Sequence, residues 1–230
     1  MAREGRFKSI NEIMIERRGD LYRSSHMYKD NFADKRVTYY FFSKGVPKRR
    51  TIYFYKRNFM HLCGVSRYPG GWKKFYRDCL ESKIRTSKAR SIQPKYVTPK
   101  IDALESLPKL LNQKYVGFSD DSVVHKRTNY GELVRTREDM LALGTVEDRA
   151  TGNQVPISLI NLEVSNDGMK KATSNWNKVS QIKVRDIEKD ETDTYQEERE
   201  RDKVMRVKQE VANYKNKQKQ KKKNKESKGV

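Results

Sequence analysis

The chain has 230 residues, of which 35% are hydrophobic and 35% are charged. Globular domains are typically about 45–50% apolar and about 25% charged, so only part of this chain can form a core. Lys and Arg number 51 against 30 Asp and Glu, a formal net charge of +21. No apolar run approaches the roughly 18 residues of a membrane-spanning helix, and residues 1–6 do not begin a signal peptide. Two cysteines, Cys63 and Cys79, are too few for a disulfide scaffold, so we expect a soluble protein of a reducing compartment.

The positive charge is spread over the whole chain. Residues 189–230 hold 14 Lys and Arg against nine Asp and Glu, a net charge of +5, so residues 1–188 carry the remaining +16. We predict one domain over residues 1–188, followed over 189–230 by a charged helix and a disordered Lys-rich tail. A basic body indicates a polyanionic partner. Nucleic acid is favoured over a membrane surface, because the tail lacks the apolar face of an interfacial helix.

The first half of the chain predicts helices around an aromatic hairpin. Residues 9–12 form a capping box that opens a short helix with Ile10, Ile13 and Met14 on one face. Strands are predicted over 37–42 and 51–55, joined by a turn that contains Gly45 and Pro47. The hairpin is apolar on both faces, so we expect it inside a sheet or under a helix, with its aromatic side chains in the core: Tyr39, Tyr53 and Phe54.

Further elements follow at helical and then at strand spacing. Apolar residues recur at helical intervals from Trp72 to Ile84, and Thr98 with Pro99 predicts the start of a second helix that Pro108 breaks. Strands are predicted over 132–137, 140–146, 155–164 and 179–187. The fold class is therefore α+β, with N-terminal helices and an aromatic hairpin packed with an antiparallel sheet.

Metal and cofactor chemistry have little support in the sequence. The three histidines, His26, His61 and His125, do not stand at ligand spacing from one another or from a cysteine. Asp78, Glu81 and Lys83 have the order of a metal nuclease motif, but on one helix they indicate a solvated face. The chain has no Gly-rich phosphate loop and no dinucleotide fingerprint, so we expect no metal and no cofactor.

His61 is the most informative single residue. It follows the hairpin directly, in an apolar segment that ends at Gly64. Histidine suits proton transfer near neutral pH, so a catalytic role is one interpretation. The other is a buried histidine bonded to backbone at a strand end.

The segment that contains His61 resembles a known nuclease family. Residues 59–64, Phe-Met-His-Leu-Cys-Gly, and 75–80, Phe-Tyr-Arg-Asp-Cys-Leu, are similar to motifs of the fourth family of phage-associated barnase–EndoU–colicin–RelE-like (BECR) nucleases. The segment from Lys100 to Leu107, Leu-Ala-Leu-Gly at 141–144, and Pro-Ile-Ser-Leu-Ile at 156–160 resemble its later elements in the same order. The resemblance runs from about residue 7 to 187, and the Lys-rich tail is extra to it.

The resemblance implies a metal-independent endoribonuclease with a BECR-type α+β fold. Its substrate is RNA, cut by attack of the 2′-OH to leave a 2′,3′-cyclic phosphate. It also implies a toxin- or effector-like protein of a phage or mobile element in the host cytoplasm, with an antitoxin-like inhibitor as a further partner.

The resemblance gives His61 and Lys100 directly, and the other candidate residues are chosen for their charge, hydroxyl group or ring. His61 matches the family histidine and is the expected general acid or base, with Lys100, Ser158 and Lys183 as further catalytic groups. The expected RNA-binding residues are Arg67, Tyr68, Lys178 and Arg185.

Two departures from the family pattern keep a second interpretation open. Ser158 stands where the family commonly has Thr, which preserves the hydroxyl. Gln154 and Val155 replace the usual aromatic pair before Pro156. The alternative function is therefore a non-catalytic, basic nucleic-acid-binding accessory protein of the same kind of element. A third interpretation, a structural protein that docks through its tail, requires binding by residues 189–230 alone.

Overall fold

The computed structural model describes most of the first 187 residues of the chain. The described ranges are 8–84, 89–91, 94–119, 123–125, 128–130, 132–136, 141–149, 151–161 and 176–187. The described residues up to Asp186 group into one compact unit. The predicted charged helix and Lys-rich tail lie outside the described residues, and the domain boundary after residue 188 stays a prediction.

Five α-helices lie within the described ranges, and none of them is long and apolar enough to cross a membrane. They are α1 (Ile10–Glu16), α2 (Arg18–Asn31), α3 (Asn58–Leu62), α4 (Gly71–Leu80) and α5 (Val97–Leu104). The capping box of α1 is confirmed, since Ser9 and Glu12 bind each other's backbone N–H groups. Helix α2 was not predicted: its buried face contains two serines beside Leu21 and Tyr28, so its hydrophobic pattern is weak.

Two predicted helix boundaries were wrong. Helix α4 ends at Leu80 rather than Ile84, because the chain turns at Ser82, which has a positive φ of 53°. Helix α5 begins at Val97 rather than after Thr98, because a short 3₁₀ turn over Pro94–Tyr96 leads straight into it. The predicted break at Pro108 is present, in a separate 3₁₀ segment over Leu107–Leu111.

Seven strands close into a barrel in the order β1-β2-β8-β7-β6-β3-β9. Their bounds are β1 (Lys35–Ser43), β2 (Val46–Phe54), β3 (Val116–Ser119), β6 (Glu132–Thr136), β7 (Leu141–Glu147), β8 (Gln154–Asn161) and β9 (Asn177–Asp186). Two short strands, β4 (Val123–His125) and β5 (Thr128–Tyr130), pair with each other in a separate sheet.

The α+β class is confirmed, but the expected antiparallel sheet needs two corrections. The aromatic hairpin of β1 and β2 belongs to the barrel itself, where β9 pairs with β1 and closes the sheet. Strands β2 and β8 are parallel and share a single bridge between Ile52 and Gln154. We call this parallel junction of β2 and β8 the seam of the barrel. It forms because the chain continues from β2 into α3 and does not turn back into a neighbouring strand.

Aromatic side chains fill the core on both sides of the hairpin. Phe41 stacks on Phe118 with ring centroids 5.0 Å apart, and Tyr39 lies beside the same ring. On the helical side, Phe59 contacts Tyr28 and Phe75. The predicted burial of Tyr39, Tyr53 and Phe54 is confirmed. Helices α3 and α5 pack against β8, which brings the His61, Lys100 and Ser158 segments together.

Candidate active site

Helix α3 holds His61 at the seam of the barrel. Asn58 fixes the start of this helix, because its side-chain oxygen accepts a 2.8 Å hydrogen bond from the Tyr55 backbone N–H. The Asn58 amide nitrogen donates to the Pro156 carbonyl oxygen on β8 at 3.3 Å. Phe59 and Leu62 anchor the helix in the core, while His61, between them in sequence, is partly exposed to solvent.

Gly64 allows α5 to approach the end of α3 closely. Its φ is +78°, a left-handed conformation that glycine adopts without strain. A Cβ at this position would lie 3.1 Å from Cδ of Lys100 and 3.4 Å from Cα of Val97. The glycine therefore makes room for the Lys100 side chain beside the His61 segment.

Lys100 and Ser158 are joined by a direct hydrogen bond. The Lys100 ammonium donates to Ser158 Oγ over 2.8 Å. Lys100 is half-buried, and Ser158 is only 9% exposed. Gly144 pairs with Ser158 and Thr145 with Pro156, which leaves Ile157 as the extra residue of a β-bulge. Bulges redirect neighbouring side chains and are frequent beside active sites, so this one helps to set the direction of the Ser158 hydroxyl.

The cluster of His61, Lys100 and Ser158 lowers the pKa of both of its basic groups. Partial burial lowers the pKa of Lys100 below its usual 10.5. The pKa of His61 is lowered below 6.5, first by partial burial and then by the positive charge of Lys100. Burial raises the pKa of the neighbouring Cys63 thiol, which therefore stays protonated. At neutral pH the site presents a neutral imidazole, suited to accept a proton, close to a positively charged amine.

Comparison with known proteins assigns this chain to a family. A family model described as "phage-Barnase-EndoU-ColicinE5/D-RelE like nuclease4" matches residues 20–228. The chain belongs to this nuclease family. No curated protein and no solved structure matches it. The sequence analysis placed the resemblance at about residues 7–187. The family model instead begins after α1 and continues into the Lys-rich tail.

The fourth predicted catalytic residue of this nuclease, Lys183, lies on a different part of the barrel. It is exposed on β9, and its Nζ is 5.2 Å from the centroid of the Tyr40 ring. Strands β1 and β2 separate β9 from β8, which carries Ser158. Lys178 and Arg185, both predicted to bind RNA, are exposed on β9 as well.

The two predicted RNA-binding residues after Gly64 have opposite environments. Arg67 is exposed, and its backbone pairs with that of Arg90. Tyr68 is only 3% exposed, and its hydroxyl donates a 2.8 Å hydrogen bond to the Asp78 carboxylate. A ring buried in this way offers no face to a nucleic-acid base, so the role predicted for Tyr68 does not fit its position.

Asp78 does not lie on the solvated helix face expected from the sequence. It is 4% exposed, and its carboxylate also accepts a 2.9 Å hydrogen bond from Lys74. Glu81 and Lys83 follow after α4 has ended, and both are exposed. Within the described ranges, no group of three or more His, Cys, Asp or Glu side chains is arranged to hold a metal ion.

Sequence reasoning missed Asn58 as a residue of the site. Its side chain accepts from the Tyr55 N–H, which precedes the helix, so Asn58 does not follow the usual N-cap pattern that a sequence can indicate. Its bond to Pro156, 98 residues later, follows only from the closure of the barrel.

Proposed function

We propose that this nuclease is a metal-independent endoribonuclease that cuts RNA by 2′-OH attack. The observation that carries the proposal is the hydrogen bond from the Lys100 ammonium to Ser158 Oγ, between two elements that both pack against the helix of His61. The three residues combine a neutral base, a positive charge and a hydroxyl, which are the groups that such a reaction needs.

In the proposed reaction, His61 accepts the proton of the ribose 2′-OH. The 2′-oxygen then bonds to phosphorus, and the bond from phosphorus to the 5′-oxygen breaks. The leaving 5′-oxygen takes a proton from the Lys100 ammonium, whose lowered pKa makes it a stronger acid than a lysine in water. The products are a 2′,3′-cyclic phosphate and a 5′-hydroxyl, so atoms and charge balance without a metal ion.

Ser158 has a positioning role in this proposal. Its hydroxyl oxygen accepts the hydrogen bond from Lys100, and Asn58 fixes the strand two residues earlier at Pro156. Holding a lysine side chain in one orientation costs conformational entropy, because several of its rotatable bonds become fixed. Because that ordering is already present in the folded protein, Lys100 is oriented before the substrate binds.

Positive charge supports RNA as the substrate. A net charge of +21 attracts phosphate backbones irrespective of sequence. We also propose that the protein acts as a toxin or effector of a phage or mobile element in the host cytoplasm, with an inhibitor protein as its partner. The word "phage" in the family description motivates this part of the proposal.

The test compares wild-type protein with His61→Ala on labelled RNA in the presence of EDTA. We expect cyclic-phosphate ends from the wild type and at least a 10²-fold slower reaction from the variant. His26→Ala is the matched control, because His26 bonds to the Leu80 carbonyl oxygen on another helix at 3.2 Å. A DNA strand of the same sequence should stay intact, since it lacks the 2′-OH. Cleavage that requires a metal ion, or an unimpaired His61→Ala, would contradict the proposal.

The same experiment distinguishes the endoribonuclease from the non-catalytic binding protein. Gln154 and Val155 replace the aromatic pair of the family pattern, and Val155 is buried. RNA that stays intact but is retarded on a native gel, with affinity that falls steeply as salt rises, would favour an accessory binding protein.

A further inference from the structure

The outer surface of β9, β1 and β2 is a continuous basic and aromatic face. Val37, Tyr39 and Phe41 alternate with outward-facing neighbours along β1 and point into the core. The pairing registers place residues of β2 and β9 beside those neighbours. Tyr53, opposite Arg36, is buried and is not counted. We call the rest of this surface the β1 face, and its ten members are Arg36, Thr38, Tyr40, Phe42, Pro47, Arg49, Thr51, Gln181, Lys183 and Arg185.

The charge of the β1 face has a single sign. All ten of its residues are described, and they include four cations and no acid. Asp186 is the only acid in the three strands, and it follows Arg185, so the alternation of the strand turns it to the other side. A face of this charge is complementary to a phosphate backbone.

Aromatic side chains lie among these cations. Phe42 is 60% exposed, so its ring has little packing role in the folded chain. The Lys183 ammonium lies 5.2 Å from the centroid of the Tyr40 ring, and Arg49 is directly opposite Tyr40 on β2. Bases of unpaired nucleic acid stack on such rings, and interleaved cations hold the phosphates.

We propose that the β1 face binds single-stranded RNA, with bases on Tyr40 and Phe42 and phosphates on Arg49, Lys183 and Arg185. From Arg36 to Phe42 the face extends about 20 Å along β1, enough for several nucleotides. It continues toward the active-site cluster, because β2 pairs with β1 on one side and with β8 on the other. An anionic membrane fits less well, since an interfacial surface separates its apolar side from its charges, whereas here the two alternate.

This inference rests on the proposed function in one respect: it takes the strand bound by the β1 face to be the RNA that is cut. Binding is therefore measured with a 2′-O-methyl oligonucleotide of 12 nucleotides, which lacks the attacking hydroxyl and stays intact. Fluorescence anisotropy gives Kd for the full chain over a range of salt concentrations. The test variants are Phe42→Ala and the double charge reversal of Arg49→Glu with Lys183→Glu.

The matched control reverses one Lys and one Arg on another surface. Lys29 and Arg77 are exposed on α2 and α4, and Lys29→Glu with Arg77→Glu changes the net charge by the same amount. We expect the double reversal on the β1 face to weaken binding at least tenfold and to reduce the salt slope by about 1.4, for two lost phosphate contacts. We expect Phe42→Ala to weaken it about fivefold or more, and the control pair to change Kd less than threefold.

Several results would overturn the inference. They are an absence of binding by the wild type, equal losses from the control pair and the β1-face pair, an unchanged Kd for Phe42→Ala, and preference for phosphatidylserine vesicles over the oligonucleotide. Cleavage of unmodified RNA by the wild type, with unchanged affinity in the β1-face variants, would refute this inference alone. Weakened binding in those variants, without any cleavage by the wild type, would refute the endoribonuclease and leave the β1 face as a binding surface.

Discussion

The Lys100 ammonium donates a 2.8 Å hydrogen bond to Ser158 Oγ, although 58 residues separate the two in sequence. The bond joins α5 to β8 immediately beside a β-bulge. Partial burial lowers the pKa of His61 on α3, and the charge of Lys100 lowers it further. One lysine therefore connects the three elements that form the candidate active site.

Removing either end of this bond should slow RNA cleavage. We expect Lys100→Met to lose about 10²–10³-fold in rate, because it removes both a proton donor and a positive charge near the reacting phosphate. Ser158→Ala should lose less, since the amine remains but is no longer held in place. In the double variant the two losses should not add, because both act through the same ammonium. Single-turnover cleavage rates give these values.

Ser158→Thr is the matched control for the hydroxyl. It retains the oxygen that accepts from Lys100, so we expect activity much closer to wild type than that of Ser158→Ala. Equal losses from Ser158→Thr and Ser158→Ala would show that packing around this buried position matters more than the bond.

The pH profile of cleavage should reflect the two lowered pKa values. His61 must be neutral to accept a proton, so kcat/KM should fall on the acid side with a midpoint below 6.5. Lys100 must be protonated, so activity should fall on the basic side with a midpoint below 10.5. Lys100→Arg should abolish the basic fall within the measured range, because a guanidinium does not deprotonate. An acid midpoint above 6.5 would contradict the proposed role of His61.

The same His61 shift predicts the direction of a stability change. The folded protein binds the imidazole proton at lower pH than the unfolded chain does. Between the lowered pKa and 6.5, the unfolded chain holds more protons, so the free energy of unfolding decreases as the pH falls. His61→Gln should lack this part of the decrease. Urea unfolding at several pH values, with wild type and variant side by side, measures the difference.

Local patterns in the sequence predict many of the elements, including α5 and the strand around Ser158, but not the short helix α3 that carries His61. The capping box of α1, the aromatic hairpin and the strand around Ser158 rest on short-range signals, namely cap spacing, β-branched content and turn residues. His61, Lys100 and Ser158 were predicted through the order of family motifs, and the structure brings the three together.

Long-range features could not be predicted in the same way. The parallel seam between β2 and β8 rests on one bridge, and nothing local in either strand indicates it. Tyr68 looked like a stacking residue because it follows Gly64 closely, yet its hydroxyl reaches a buried carboxylate on α4. The outward direction of Tyr40 and Phe42 likewise depends on which side of the hairpin the barrel closes.

Replacing Gly64 should destabilise the protein and disturb the site. Gly64→Ala combines a positive φ with a Cβ only 3.1 Å from Cδ of Lys100. We expect a loss of more than about 1 kcal/mol in unfolding free energy, together with slower cleavage because Lys100 must move. Gly45→Ala is the control: its φ of +77° is nearly the same, but no atom lies within 4 Å of its added Cβ. Equal effects of the two substitutions on cleavage would contradict the argument.

Tyr68→Phe should weaken the fold without weakening RNA binding. The substitution leaves the buried carboxylate of Asp78 without the hydroxyl that donates to it over 2.8 Å. We expect a loss of about 1–3 kcal/mol in unfolding free energy, since hydrogen bonds to charged groups are worth more than neutral ones. Affinity for the 2′-O-methyl oligonucleotide should stay unchanged. A large loss of affinity in a stably folded variant would restore the role first predicted for Tyr68.

Asn58→Ala should lower both stability and activity, because one side chain fixes α3 at two points. It removes the acceptor for the Tyr55 N–H, at 2.8 Å, and the donor to the Pro156 carbonyl, at 3.3 Å. Asn58 is buried, so the orphaned groups should cost about 1–3 kcal/mol in unfolding free energy.

Asn31→Ala is the matched control, since its amide donates to the Met27 carbonyl within α2, away from the cluster. If Asn58 positions His61 against β8, the fully folded Asn58→Ala variant should cleave RNA more slowly than the wild type. The loss should be larger than that of Asn31→Ala. An unchanged kcat in the folded Asn58 variant would show that the bond stabilises the seam of the barrel and contributes nothing to the chemistry.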